Sequence, residues 1–399
     1  MWEQIRSNQT RSVVLAIGMG VLLILIGYFL GLYFFDNATA GLVIALLVWV
    51  VLSLIAYFQG DSILLGMSRA KKISRDDHPR LYNVVEEMKI ASGLEKMPDV
   101  YIIDDPAPNA FATGRDPNKA SVAITSGLLQ KLNRDELQGV IGHEISHIKN
   151  RDVLLMAMCG VLLGTIVILA WYGSRFLFFS GAGSRRSSSS RGGGQGQIIV
   201  LIVALVFIIL APIFAQLIYF AISRKREYLA DASSALYTRY PEGLASALEK
   251  LAASTEQLRS ANQATAPMYI INPFRKRGFK ASDLTSTHPP ISERIRILRA
   301  MAGASFNNYD QAYRQVHGGR GVIPAASLTA EAVPIATVKL EGEAGELNEV
   351  QRVRETSDVM WRLSNYRTIT CDCGAKLRVP PNFRDPQIRC PHCGRTHKV

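Results

Sequence analysis

The stretch GVIGHEISHIKNRD, residues 139–152, places two histidines, a glutamate and an aspartate in an otherwise apolar helical pattern. His143 and His147 are four residues apart, so on a helix both lie on one face, where two imidazoles can share a tetrahedral metal ion. Glu144 lies about 100° further round the axis, where it can reach a water beside that ion. This H-E-x-x-H arrangement predicts zinc with Glu144 as general base. The alternative is a pair of solvated histidines on a surface helix.

A third ligand is expected in the stretch REYLADASS, residues 226–234. Glu227 and Asp231 are four residues apart in a helical pattern, so Glu227 can complete the ligand set while Asp231 lies behind it. The fourth coordination position then stays open for water, as catalytic zinc requires. Asp231 is predicted to accept a hydrogen bond from one histidine and so set its tautomer. Taken alone, Glu227 would be interpreted as an exposed charge in a basic cluster. The histidine pair favours the interpretation of Glu227 as a metal ligand.

The composition of the chain indicates membrane-spanning segments. Of its 399 residues, 48% are hydrophobic, and the mean hydropathy is +0.12, both high for a soluble protein of this length. The net charge of +12 suits the anionic surface of a membrane. No nucleic-acid partner is expected, because no stacking aromatic residues are interleaved with the basic ones. Four uncharged stretches are each long enough to span a bilayer: residues 12–35, 37–60, 153–174 and 197–223.

Basic residues around these stretches predict their orientation. Arg6 and Arg11 precede the first span, and four basic residues follow the second within residues 69–75. The positive-inside rule therefore places both ends of the first hairpin in the cytoplasm. The loop at 175–196 carries four arginines against this assignment, but the first hairpin usually determines orientation. We expect a multi-pass protein of the inner (plasma) membrane, with its catalytic part and C-terminal tail in the cytoplasm.

The patterns of the soluble segments predict a mixed domain in two halves. DVYIID, NAFATG and ASVAIT read as strands, and DHPRLYNVVEEMKIASGL, YPEGLASALEKLAASTEQL and PPISERIRILRAMA read as helices. The chain then divides into hairpin 1–60, soluble part 61–152, hairpin 153–223, soluble part 224–318, linker 319–360 and cysteine-rich tail 361–399.

Four motifs in this order give the first 310 or so residues a family resemblance: NAFATG, GHEISHIKNRD, REYLADASS and THPPISERI. Together they resemble the HtpX-type membrane zinc metallopeptidases, relatives of the CAAX prenyl endopeptidases. The resemblance implies zinc ligands at His143, His147 and Glu227 and a catalytic glutamate at Glu144. It also implies a zincin-like fold and cleavage of membrane proteins on the cytoplasmic side, in protein quality control and the stress response.

NAFATG gains a second interpretation from the resemblance. It looks like the edge strand on which an extended substrate pairs as an added strand. Asn109, Ala110 and Phe111 are the expected substrate-binding residues. The alternative is an ordinary core strand.

Two residues in STHPPISERIRIL are candidates for further catalytic roles. His288 is placed to donate a hydrogen bond to the developing oxyanion, and Arg294 is expected either to do the same or to hold the fold. The alternative for His288 is a helix cap or a buried structural histidine.

The tail carries four of the five cysteines in CDCGAKLRVPPNFRDPQIRCPHCG. One C-x-C and one C-x-x-C, each followed by glycine, resemble a zinc ribbon, although the first pair departs from the usual spacing. Iron in a rubredoxin-like site and two disulfides are the alternatives. Such a ribbon is too small for a core of its own, so a metal would supply most of its folding free energy. The expected ligands are Cys371, Cys373, Cys390 and Cys393.

The sequence thus predicts a mainly α integral membrane protein with four transmembrane helices, a cytoplasmic α+β zincin-like metallopeptidase domain and a small C-terminal zinc ribbon. We expect one catalytic and one structural zinc ion, and membrane-protein or peptide substrates at the lipid bilayer. The competing hypotheses are a catalytically idle membrane scaffold acting through the ribbon, and a membrane-anchored regulatory or nucleic-acid factor.

Overall fold

The computed structural model describes residues 2–154, 224–259, 266–273, 288–328 and 347–399, together with positions 171, 175 and 213. The chain begins with two long helices, α1 (Trp2–Phe35) and α2 (Ala38–Met67), which pack as a hairpin. Among the described residues, one helix is long and apolar enough to cross a membrane, and it is α2. The third and fourth predicted spans lie almost entirely outside the described residues.

Small residues let α1 and α2 approach closely. Gly31 of α1 faces Gly41 of α2, and a methyl group on Gly41 would lie 2.2 Å from the carbonyl oxygen of Gly27. Close glycine contacts of this kind are typical of helix pairs in membranes. The side chain of Asn37 caps the start of α2 by accepting a hydrogen bond from the Ala40 N–H.

The soluble domain is built on a four-stranded sheet. Its strands are β1 (Lys71–Lys72), β2 (Asp99–Ile103), β3 (Ala110–Asp116) and β4 (Lys119–Thr125). The order is β1-β2-β4-β3, with β2 and β4 parallel and the other pairs antiparallel. All three strands that the sequence predicted are therefore present, and β3 lies at the edge of the described sheet.

Helices cover the sheet and enclose one apolar core. They are α3 (Pro79–Ser92), α4 (Ser126–Lys131), α5 (Arg134–Lys149), α6 (Pro241–Ala253), α7 (Ile291–Arg299) and α8 (Phe306–His317). The motif helix α5 lies at the centre, packed against α3, α6 and β3, and most of its residues are buried. Residues 224–238 are also helical.

The linker predicted over residues 319–360 is wrong from residue 349 onward. Residues Glu349–Leu363 form a helix, α9, which packs on α4 and adds the buried Val359 to the core of the soluble domain. Its sequence signal is a capping box, in which Asn348 and Gln351 exchange side-chain-to-backbone hydrogen bonds. The tail is therefore attached to the soluble domain by a packed helix.

Two small hairpins follow α9. β5 (Arg367–Thr370) pairs with β6 (Lys376–Val379), and β7 (Gln387–Arg389) pairs with β8 (Thr396–Lys398). Asp358 of α9 contacts Lys376 and Arg378 of the first hairpin, and the Arg378 guanidinium lies 5.3 Å from the ring centroid of Trp361. These contacts hold the β5–β6 hairpin against the last turns of α9.

Candidate active site

Helix α5 begins at a capping box and carries its polar motif into the core. The Asn133 side chain accepts a hydrogen bond from the Glu136 N–H, and the Glu136 carboxylate accepts one from the Asn133 N–H. One turn of helix separates His143 from His147, and both rings face the helical segment 224–238. His143 is fully buried, whereas the side chain of His147 keeps 14% of its exposure.

The structure brings the three expected ligands together. The two imidazole Nε2 atoms are 3.2 Å apart. Glu227 Oε2 lies 3.6 Å from His143 Nε2, and Glu227 Oε1 lies 3.5 Å from His147 Nε2. One ligand atom from each residue falls within a 4.8 Å cluster. Two imidazoles and a carboxylate are a ligand set typical of catalytic zinc.

A carboxylate contacts the far nitrogen of each imidazole. His143 Nδ1 is 2.9 Å from Asp231 Oδ1, and His147 Nδ1 is 3.0 Å from Asp152 Oδ2. An ionised carboxylate can only accept, so both Nδ1 atoms donate, and in the neutral rings both Nε2 atoms present lone pairs. Facing lone pairs at this separation need a proton or a metal ion between them, and with the Glu227 carboxylate beside them these residues fit a metal ion.

Sequence reasoning missed Asp152. It follows the end of α5, beyond the reach of helical spacing. Arg151 has a φ of 58°, and this left-handed residue turns the chain so that Asp152 returns to His147. The available signal was the motif itself, in which Asp152 stands five residues after the second histidine.

The charges of this cluster alter its pKa values strongly. Burial lowers the pKa of His143, but hydrogen bonds with Asp231 and Glu227 outweigh it and raise that pKa to about 9. Burial raises the pKa of Glu227, but the neighbouring His288, His143 and His147 bring it well below its ordinary value. The Glu227 carboxylate is therefore ionised, as a metal ligand must be.

Arg294 lies behind the ligands. It is fully buried, its Nε and Nη2 donate to the two oxygens of Asp231 at 2.8 and 2.6 Å, and its Nη1 donates to the Ile270 carbonyl at 3.0 Å. Asp231 and Arg294 form a buried, bidentate ion pair, which lowers the pKa of Asp231. Of its two expected roles, the geometry favours holding the fold over donating to an oxyanion.

His288 lies beside the third ligand. Its Nε2 is 3.9 Å from Glu227 Oε2, and the residue is 3% exposed. Burial lowers its pKa to about 4, so the ring is neutral at pH 7 and retains one N–H donor. This position is compatible with the oxyanion role and with support of Glu227.

Glu144 faces a cleft beside the three ligands. Within the described residues, no side chain bonds to its buried carboxylate oxygens and the backbone of Ala112 is their one nearby donor. Burial raises the pKa of Glu144. A carboxyl in this state is available to a water or a substrate. The cleft is lined by Ala112, Glu144, His147, Val153, Arg226, Glu227 and Met268.

The predicted substrate-binding residues need correction. Asn109 bonds through its side chain to the Ile271 carbonyl at 3.1 Å, and the Ala110 carbonyl accepts from the Ile270 N–H at 3.0 Å. The ring of Phe111 contacts that of Tyr269 edge to face, with centroids 5.1 Å apart. Asn109, Ala110 and Phe111 therefore already pack against residues 269–271, and the part of β3 that lines the cleft is Ala112.

Comparison with known protein families shows whether this cluster of side chains belongs to a hydrolase. The family model described as "Peptidase family M48" matches residues 75–302, more than half of the chain, and this range includes every ligand and Glu144. The chain belongs to peptidase family M48. It is a membrane metallopeptidase, and M48 metallopeptidases depend on zinc.

Similar proteins are named as proteases. A "Protease HtpX homolog" of Dictyoglomus turgidum is 49% identical over 61% of this chain and 76% of its own length. One of Dictyoglomus thermophilum is 44% identical over 75% and 94%, and one of Lactobacillus helveticus is 42% identical over 75% and 100%. Among solved structures, that of Ste24p from S. mikatae matches at a TM-score of 0.40 and 20% identity, covering 75% of this chain and 67% of that one.

The M48 match ends before the tail, where the structure gathers the four cysteines. Their Sγ atoms all lie within 4.8 Å of one another, and all four thiols are free. Cys371 is 3.4 Å from Cys393, and Cys373 is 3.7 Å from Cys390, too far for disulfides. Gly374 and Gly394 have φ values of 84° and 76°, which let both turns fold their thiols inward. The hairpins bury few side chains, so this tetrahedral set fits a structural metal ion.

Proposed function

We propose that this M48 metallopeptidase is a zinc endopeptidase that cleaves membrane proteins at the cytoplasmic face of the inner membrane, in protein quality control. One observation carries the proposal: two imidazole Nε2 atoms and the Glu227 carboxylate converge beside the buried carboxylate of Glu144. The general base Glu144 and the ligands His147 and Glu227 line one cleft, while His143 is fully buried. This is the arrangement needed for hydrolysis without a covalent enzyme intermediate.

His143, His147 and Glu227 would hold the catalytic zinc ion. When bound there, zinc lowers the pKa of its water to about 7 and polarises the substrate carbonyl. Asp231 and Asp152 keep both histidines in the tautomer that ligation requires. Arg294 keeps Asp231 ionised and in place.

Glu144 moves the proton. Its carboxylate accepts a proton from the attacking water and then passes that proton to the leaving amine. The raised pKa of Glu144 suits a group that must hold a proton between the two steps. The neutral ring of His288 donates to the oxyanion as it forms.

The number of membrane spans and the side on which the soluble domain lies are part of the same proposal. Four spans, with the second pair at 153–174 and 197–223, would place both halves of the soluble domain on the cytoplasmic side. The names of the relatives support proteolysis. Membrane proteins are the substrate class that a site attached directly to α2 would meet.

A second zinc ion is proposed for the tail, held by Cys371, Cys373, Cys390 and Cys393. It would stabilise the two hairpins, whose buried apolar cluster is small. The tail would then be a folded appendage of the peptidase.

The test replaces Glu144 with glutamine, which keeps the shape of the side chain and removes the base. We expect Glu144→Gln to bind zinc as the wild type does and to cleave casein about 100- to 10,000-fold more slowly. Glu95→Gln, at an exposed position, is the matched control and should retain activity. Full cleavage by Glu144→Gln would overturn the proposed role of this residue.

A further inference from the structure

The apolar surface of α2 indicates where the bilayer ends. Its exposed large hydrophobic side chains run from Val43 to Phe58, and the next one is Met67. The 21 residues from Ala38 to Phe58 measure about 31 Å at about 1.5 Å per residue, which matches a hydrocarbon core of about 30 Å. Beyond Phe58, α2 continues to Met67 with Gly60, Leu64 and Leu65 buried.

The hairpin between β3 and β4 lies at this level. The Arg115 guanidinium is 5.7 Å from the ring centroid of Phe58, and α2 packs against β3. Asn118 and Lys119 at the turn are exposed. An arginine over an aromatic ring at the end of an apolar span is typical of the headgroup region. The tip of the hairpin therefore lies at the lipid–water boundary.

The outer edge of β3 leads from that boundary to the cleft. Asn109 bonds to Thr125 at the end of β4, whereas the Ala110 carbonyl accepts from Ile270 on the other side. Backbone groups alternate in direction along an antiparallel strand. Ala112 therefore directs its N–H and C=O groups outward, as the Ala110 carbonyl does, and this alternation holds up to the bulge that begins at Gly114.

Ala112 also lines the cleft together with Glu144. A peptide paired with this edge would have its bond opposite Ala112 beside the general base. From Ala112 to Arg115 the strand advances three residues, about 10 Å at about 3.3 Å per residue. The site of hydrolysis is thus a short strand's length from the bilayer.

We propose that the enzyme selects the juxtamembrane segment of an integral membrane protein, which pairs as an extended strand with Ala112–Gly114 and is cut within about five residues of its bilayer-embedded helix. The inference rests on the proposed function and adds a distance rule to it. The anchored end of the substrate stays at the β3–β4 hairpin while the cut bond reaches Glu144.

The test uses a substrate whose sequence repeats, so that the same cleavable peptide bond is available at every distance from the membrane. A transmembrane helix is followed by about 30 residues of one repeated cleavable peptide, roughly 100 Å when extended, and is reconstituted with the full-length enzyme in proteoliposomes. Mass spectrometry maps the cuts. The matched control is the same repeat without its transmembrane helix, and Glu144→Gln reports background cleavage.

We expect the cuts in the anchored substrate to fall within about five residues of the helix and those in the free repeat to be spread evenly. Even spreading in the anchored substrate would overturn the distance rule and leave the endopeptidase in place. Casein cleavage without any cut in the anchored substrate would also overturn the rule. Loss of casein, free and anchored cleavage together would instead contradict the proposed function.

Discussion

Each histidine of the candidate site contacts one carboxylate through its Nδ1 atom. The two carboxylates, Asp231 and Asp152, differ in how the protein holds them in place. Asp231 is fully buried and bidentate to Arg294. Asp152 reaches His147 from beyond the end of α5. A histidine whose Nδ1 is bonded to a carboxylate presents a more basic Nε2 to a metal.

Asp231→Asn tests this arrangement. We expect zinc affinity at the catalytic site to fall about 10- to 100-fold, because an amide is a weaker acceptor for His143 and removes the bidentate counter-charge of the buried Arg294. Arg294 then keeps only Glu227, at 3.7 Å, as a charged partner among the described residues. Titration against a buffered chelator measures the affinity. Asp99→Asn is the matched control, since Asp99 is half exposed and pairs with Lys72 away from the site. Equal zinc affinities for the two variants would show that Asp231 does not support the ligand.

Residue spacing predicted part of this site and not the rest. His143, His147, Glu227 and Asp231 are readable because each pair lies four apart on one helix. Asp152 depends on a left-handed residue at Arg151, which no periodic pattern reveals. The occupied edge at Ala110 depends on Ile270, 160 residues further along the chain, and long-range pairing of this kind leaves no local signal.

At the scale of elements, α9 shows how the tail is attached. His78 precedes α3, and its Nδ1 caps the helix by accepting from the Leu81 N–H at 3.2 Å. Glu355 of α9 approaches that nitrogen at 3.7 Å, and the His78 side chain is fully buried. The buried face of α9 is narrow, with Thr356 and Val359 as its buried residues. Its sequence is therefore mostly polar, and this is why the sequence pattern predicts a linker.

The burial of His78 predicts a pH dependence of stability. Burial, with a contribution from Arg80, lowers the pKa of His78 to about 4 from 6.5. The folded protein binds this proton less readily than the unfolded chain, so the stabilising contribution is complete above pH 6.5 and is lost as the pH falls towards 4. The shift corresponds to at most about 3 kcal/mol.

Thermal unfolding of the detergent-purified protein measures this dependence. His78→Asn keeps a capping side chain and removes the titration. We expect its free energy of unfolding to fall less than that of the wild type over this pH window. Parallel pH profiles for the two proteins would mean that His78 does not contribute.

At the scale of the whole molecule, α2 connects the bilayer to the active site. Its apolar part matches one membrane thickness, and its last turns are buried against the sheet that carries β3. The cleft is therefore held at a set height relative to the membrane. Hydropathy predicted the span at residues 37–60, where α2 lies. It did not predict that α2 continues to Met67, because Asp61 ends the uncharged stretch while the helix runs on into the soluble domain.

His143, His147 and Glu227 are proposed to hold a catalytic metal ion separate from that of the tail. Zinc per chain, measured by mass spectrometry on purified wild type, His147→Ala and Cys390→Ser, tests whether the two ions are separate. We expect about two zinc ions in the wild type and about one in each variant, with cleavage lost in His147→Ala and retained in Cys390→Ser. Equal zinc content in wild type and His147→Ala would contradict the account.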